Sequence, residues 1–142
     1  MRRMNEAEIR AFLTFGTRTG KLGVMRLDGS PMVVPIWFDM DDDGSLLFTT
    51  WSESIKGKSL RRDGRVSLCV DEDSPPYAYV RVDGTTTLLD DPAVLRTWAA
   101  RIGGRYMGVE RAAEYGARNG VEGELLVRIT PTKIVAQAGI AE

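Results

Sequence analysis

Histidine is absent from this 142-residue chain. That absence excludes histidine triads, histidine metal sites and a histidine general base together. Cysteine occurs once, at Cys69, so no intramolecular disulfide can form, and a reducing, cytoplasmic setting is expected. Within its strand-like surroundings this thiol reads as a small core residue rather than a nucleophile. No apolar run approaches the roughly 20 residues of a membrane span, and the N-terminus has no signal-peptide apolar core, so no membrane partner is expected. The formal net charge of −1 gives no basic footprint for nucleic acid. Neither G-x-G-x-x-G nor a Walker A pattern occurs. No pair of carboxylates stands out as acid and base, and the four aspartates of "DMDDDG" read as a solvated turn rather than a metal loop. No catalytic side chain is therefore assigned and no metal site is expected. An enzyme built this way would take its reactivity from a cofactor.

What the chain does contain is a succession of strand patterns. Asn5 and Glu8 have capping-box spacing ahead of Ile9, Phe12 and Leu13, which predicts an N-terminal amphipathic helix. "KLGVMRL" and "MVVPIWFDM" read as a hairpin around the turn "DGSP". Pro35 cannot donate to a ladder, so that strand is expected to be an edge or to carry a bulge. "SLLFTT", "RVSLCVDE" and "YAYVRVDGTTTLLD" supply three more strands, the last with an irregularity at Gly84. A short helix lies between the first two of these, capped by Ser52 or Ser54 and stopped by Gly64. "DPAVLRTWAARI" is a second helix, opened by Asp91 and Pro92. "GGRYMG" reads as an interruption before further helix, and "GELLVRITPTKIVAQAG" as one or two strands divided at Pro131. Consecutive antiparallel strands with late helices predict one domain, residues 1–142, mainly β with peripheral helices around an antiparallel barrel. Val33, Pro35 and Trp37 alternate with Val34, Ile36 and Phe38, leaving both pleat faces apolar. A strand buried on both faces in so short a chain predicts a homodimer.

One stretch concentrates charge. Residues 49–65, "TTWSESIKGKSLRRDGR", hold five cations against two anions, and only four of the chain's nineteen cations are lysines. Thr49, Thr50, Ser52 and Ser54 place hydroxyls at a helix start, where free backbone N–H groups and the helix dipole suit an anion. Lys56 and Lys58 add charge-assisted donors for phosphate oxygens. A solvated basic helix is the competing reading, and composition alone does not separate the two. The strand around Pro35 and Trp37 offers unpaired backbone to the edge of a flat heterocycle, or is ordinary core. Tyr77, Tyr79 and Arg81 share a face by alternation, either as a clamp on a planar anion or as a half-exposed strand.

Taken in order, "GKLGVMRLDGSPMVVPIWFDM", "LLFTTWSESIKGKSLRRDGRVSLCVDED", "PPYAYVRVDGTTTLLDD", "RYMG" and "RITPTKI" resemble the split β-barrel proteins related to pyridoxamine-phosphate oxidase. Within these the chain is most similar to the actinobacterial flavin/deazaflavin oxidoreductases that use coenzyme F420. The resemblance spans nearly the whole chain. Its most specific element is the strand–hydroxyl–"SIKGKSLRRDGRV" block. It implies a homodimer with two cofactor sites at the subunit interface. The cofactor ring would lie against Val34, Pro35, Ile36 and Trp37, and its phosphate against Thr49, Thr50, Ser54, Lys56 and Lys58. The other subunit would contribute Pro76, Tyr77 and Tyr79. Arg61 and Arg62 would lie along the path of the polyglutamate tail. The implied activity is hydride transfer from reduced F420 to an electron-poor C=C or related bond of a small planar or apolar substrate. FMN as cofactor, and a non-catalytic flavin or deazaflavin carrier, are the alternatives.

Overall fold

The computed structural model describes residues 1–142, and its framework is one curled antiparallel sheet. Helix α1 (Glu6–Thr14) opens with the expected capping box: the Asn5 side chain accepts from the Glu8 N–H, and Glu8 answers to the Asn5 N–H. The hairpin follows as β2 (Gly20–Met25) and β3 (Pro31–Ile36), after a two-residue β1 (Arg2–Arg3) that no sequence pattern announced. Its turn is tied by Asp28, whose carboxylate accepts from both the backbone and the hydroxyl of Ser30. β3 ends at Ile36, earlier than the run "MVVPIWFDM" suggested, and the chain resumes pairing only in the short β4 (Asp39–Met40).

β5 (Leu46–Trp51) leads into helix α2 (Ile55–Arg62), then β6 (Arg65–Glu72) and β7 (Ala78–Leu89). Helix α3 runs unbroken over Pro92–Met107, so "GGRYM" continues the helix instead of interrupting it. The glycines are there for contact: a Cβ on Gly103 would lie 2.1 Å from Tyr115 Cβ, on α4 (Ala112–Asn119). The final segment is a single strand, β8 (Glu124–Ala138), undivided at Pro131. It absorbs the proline at a register shift, where Asp83 pairs with Lys133 but Gly84 with Pro131.

The strand order is β3-β2-β6-β7-β8-β5-β4, with β1 paired to β8. β3 is therefore an edge, as Pro35 requires. Alternation along β2, β6 and β7 turns Leu22, Leu68, Val70, Val80 and Val82 inward, all fully buried beside Phe38 and Phe48. A second, smaller cluster lies on the other side of β5 and β8, where Leu95 and Trp98 of α3 cover Leu47 and Leu126. Cys69 differs from its expected place in the core. It alternates with buried Leu68 and Val70, so it sits half-buried on the outer face of β6, paired with Lys21 and Arg81. Of the "DMDDDG" aspartates, Asp42 and Asp43 are exposed as expected, but Asp39 and Asp41 are partly buried. Asp41 pairs with Arg128 at 2.9 Å and Asp39 with Arg101 at 3.1 Å.

Candidate functional site

The start of α2 is organised by Ser54. Its hydroxyl donates to the Trp51 carbonyl at 2.7 Å and accepts from the Gly57 N–H at 2.9 Å. Because its one proton is used there, the contact with Thr50 at 3.2 Å is made by the Thr50 hydroxyl as donor. Thr50 is buried, so its hydroxyl depends on this partner. Gly57 permits the geometry, since a Cβ there would sit 2.4 Å from the Trp51 carbonyl oxygen. The hydroxyls are thus held in place by the fold itself.

Beside them opens a cavity of about 370 Å³. It is lined by Thr49, Thr50, Ser54 and Lys56 from β5 and the start of α2, and by Pro35, Ile36 and Trp37 from the end of β3. Trp51, Ala99, Ile102, Asn119 and Glu124 complete the wall. Seven of the positions expected to hold a cofactor therefore line one cavity, from two stretches of sequence brought together by the curl of the sheet. Val34 does not join them; it packs against the barrel core. Lys58 points away and is exposed, 3.7 Å from Glu53. Arg61 donates to the Ser52 carbonyl at 2.8 Å and also approaches Glu53, while Arg62 donates to the Met25 carbonyl at 2.5 Å. These three cations are engaged locally and do not extend the cavity as a basic groove. Pro76 and Tyr77 line a different cavity, with Arg2, Glu72 and Glu142. Tyr79 lies half-buried on β7 between Asp71 and Gln137.

The aromatic wall is braced from behind. Trp37 stacks on Tyr106 with centroids 5.2 Å apart and planes 3° from parallel, and meets Tyr115 edge-on at 5.7 Å. The Tyr106 hydroxyl donates to the Arg18 carbonyl at 2.8 Å and accepts from the Phe38 N–H at 3.3 Å. Burial pushes this phenol's pKa up, so it remains a neutral donor. The Arg105 guanidinium, almost wholly buried, donates to the carbonyls of Leu13, Gly16 and Phe38 at 2.7–2.9 Å. These two residues of α3 fix both backbone groups of Phe38, the residue after Trp37. In the sequence "RYMG" stands out only as a helix interruption and as part of a resemblance; its bracing role appears once α3 is seen to pass behind Trp37.

Two charges face the cavity. Burial lowers the pKa of Lys56, opposed by the attraction of Glu124. Burial raises that of Glu124, opposed in turn by Lys56. Neither side chain forms a hydrogen bond or an ion pair within 4.0 Å, so both stay available to a ligand. Glu124 was not anticipated, since a glutamate at the start of an ordinary strand carries no distinguishing pattern.

A curled antiparallel sheet with this order and these helices is a split β-barrel. The family model described as pyridoxamine 5'-phosphate oxidase matches residues 6–138, and the chain belongs to that family. Among solved structures, the conserved hypothetical protein Rv2991 of Mycobacterium tuberculosis is 27% identical with a TM-score of 0.83, covering 96% of this chain and 86% of its own. An F420 reductase is 24% identical with a TM-score of 0.70, covering 87% and 94%. A FAD-binding protein of Mesorhizobium loti is 24% identical with a TM-score of 0.70, covering 95% and 93%. No curated protein matches the sequence. No helix is long and apolar enough to cross a membrane.

Proposed function

We propose that this protein is a coenzyme F420-dependent reductase acting on small planar or apolar substrates with an electron-poor C=C or related bond. The observation that carries the reading is the single cavity lined both by hydroxyls and Lys56 and by Pro35, Ile36 and braced Trp37. That lining suits a ligand with a phosphate and a flat ring system. The residues present fit such a group: a desolvated ammonium beside the uncommitted Thr49 hydroxyl for phosphate, and an apolar, aromatic wall for rings. The family resemblance in the "SIKGKSLRRDGRV" block supports F420 ahead of FMN, and one protein of the same fold is an F420 reductase.

When bound and reduced, the deazaflavin supplies a hydride for the substrate double bond. The chain's own part is to hold and orient. Lys56 binds the phosphate, Ser54 and Thr50 shape the α2 start around it, and Trp37 limits where the ring can lie. Ala99 and Ile102 of α3 exclude water beside it. The functional unit in this reading is a homodimer. Val33 and Pro35 expose apolar surface on the outer face of β3, and Pro76 and Tyr77 reach such a cavity only from a second copy.

Anaerobic fluorescence titration with F420 and separately with FMN tests the cofactor. Turnover of enones, quinones and nitroaromatics then tests the reaction, and light scattering tests the dimer. Tight F420 binding without oxidation of any substrate would identify a carrier; absence of binding to either cofactor would end the reading.

A further inference from the structure

We propose that Glu124 sets the charge class of phosphate this cavity accepts, favouring a singly charged phosphodiester over a doubly charged phosphomonoester. This inference rests on the reading that the cavity holds a flavin-type phosphate. Among the lining side chains Lys56 is the only cation and Glu124 the only anion, so the wall is formally neutral. The other cations of the segment cannot add to it. Lys58 and Arg61 lie 3.7 Å from Glu53, and Arg62 is spent on the Met25 carbonyl.

Glu124 is also held in position. It opens β8 directly opposite Trp51 in the ladder, and Gly123 before it lies against the Trp51 indole. Trp51 in turn leads into α2, so the carboxylate is carried on the same corner as the start of α2. Lys56 is the one charge within the chain that bears on it, and the cavity residues from α3, α4 and β5 (Ala99, Ile102, Asn119, Thr49, Thr50 and Trp51) are all uncharged.

A diester brings one negative charge, which Lys56 offsets. A monoester brings two near neutral pH, its second ionisation falling at about pH 6, and the excess charge faces a carboxylate with no second cation. One added charge facing a carboxylate, with no second cation to offset it, weakens binding on the order of tenfold. Lowering the pH removes the distinction twice over. The monoester becomes singly charged, and Glu124, whose pKa burial has raised, becomes neutral. F420 carries its phosphate as a diester and FMN as a monoester, so this residue would bias the protein between them.

The test uses the full chain with FMN and riboflavin 4′,5′-cyclic phosphate, a diester on the same ring, with riboflavin as the baseline. Quenching of flavin fluorescence at pH 8 should show the cyclic diester binding about tenfold more tightly than FMN, the ratio shrinking at pH 5.5. In Glu124→Gln the ratio at pH 8 should fall to about twofold or less, mainly because FMN improves, while Glu124→Asp should keep the preference. FMN binding as tightly as the diester to the wild type at pH 8, or a ratio unchanged in Glu124→Gln, overturns the proposal. Failure of the cofactor reading looks different: F420 and both flavin phosphates then bind no better than riboflavin, and the two inferences fall together.

Discussion

Lys56 and Lys58 stand two residues apart on one helix, yet the structure assigns them different work. Lys56 lines the cavity, is partly desolvated and has no partner within 4.0 Å. Lys58 is 60% exposed with Glu53 at 3.7 Å. A charge-assisted bond from a desolvated ammonium contributes about 1.5–3 kcal/mol, whereas an exposed, screened charge contributes about 0–1 kcal/mol. Lys56→Ala should therefore weaken F420 binding about 30-fold, and Lys58→Ala by about threefold or less. Raising the salt concentration should erase the small Lys58 effect first, because an exposed charge is screened more than a half-buried one. Lys56→Met keeps the apolar stem and should lose nearly as much as alanine, which attributes the effect to charge rather than packing. Neither change should lower the melting temperature appreciably, since Lys56 bears a desolvation cost and Lys58 lies in water. The assay is fluorescence titration of F420 at two ionic strengths, with thermal melts as the control for folding. Equal losses from the two alanine variants would refute the division of roles, and no loss from Lys56→Ala would remove the phosphate site from this cavity.

Ser54→Ala removes the α2 cap and strands the buried Thr50 hydroxyl, costing about 2 kcal/mol, and a double-mutant cycle with Thr50→Val should show coupling of about 1 kcal/mol in urea melts. Tyr106→Phe leaves the Arg18 carbonyl and the Phe38 N–H without their partner, so about 1–2 kcal/mol of stability should be lost together with a shift in tryptophan emission from Trp37. Gly103→Ala drives a methyl into Tyr115 and should cost about 1–3 kcal/mol, with faster amide exchange along α4. The raised pKa of Glu124 means the folded state holds that proton more tightly than the unfolded chain, so its contribution to stability is lost as pH rises through the raised value. Burial outweighs the attraction of Lys56 here, so Glu124→Gln should melt higher than wild type at pH 7.5 and close to it at pH 4.5 in scanning calorimetry.

Local chemistry carried most of the fold in legible form. Asn5, Pro35, Gly84 and Pro92 each carry a local backbone preference, and each was met where the sequence placed it. The misreadings came from residues whose meaning depends on a distant neighbour. Gly103 and Gly104 look like a helix break until Tyr115 and Ala112 are seen to occupy the space a side chain would need. Pro131 looks like a strand end until Gly84 is found opposite it. The candidate site divides in the same way. Thr49, Thr50, Ser54 and Lys56 are contiguous, so a hydroxyl-rich helix start marks them without tertiary information. Lys58 shares their composition, but helical geometry turns it toward Glu53, and spacing alone does not reveal that. Glu124, Asn119 and Ile102 join the cavity from three further elements, and no local pattern could have gathered them. What matters most for ligand choice is thus the least local feature. In the proposed reading, the cation that would attract a phosphate is written into the helix start, whereas the carboxylate that would limit its charge arrives on another strand. A sequence sharing the lysine but placing a neutral residue at position 124 would keep the fold and the anion site, yet accept a different class of phosphate.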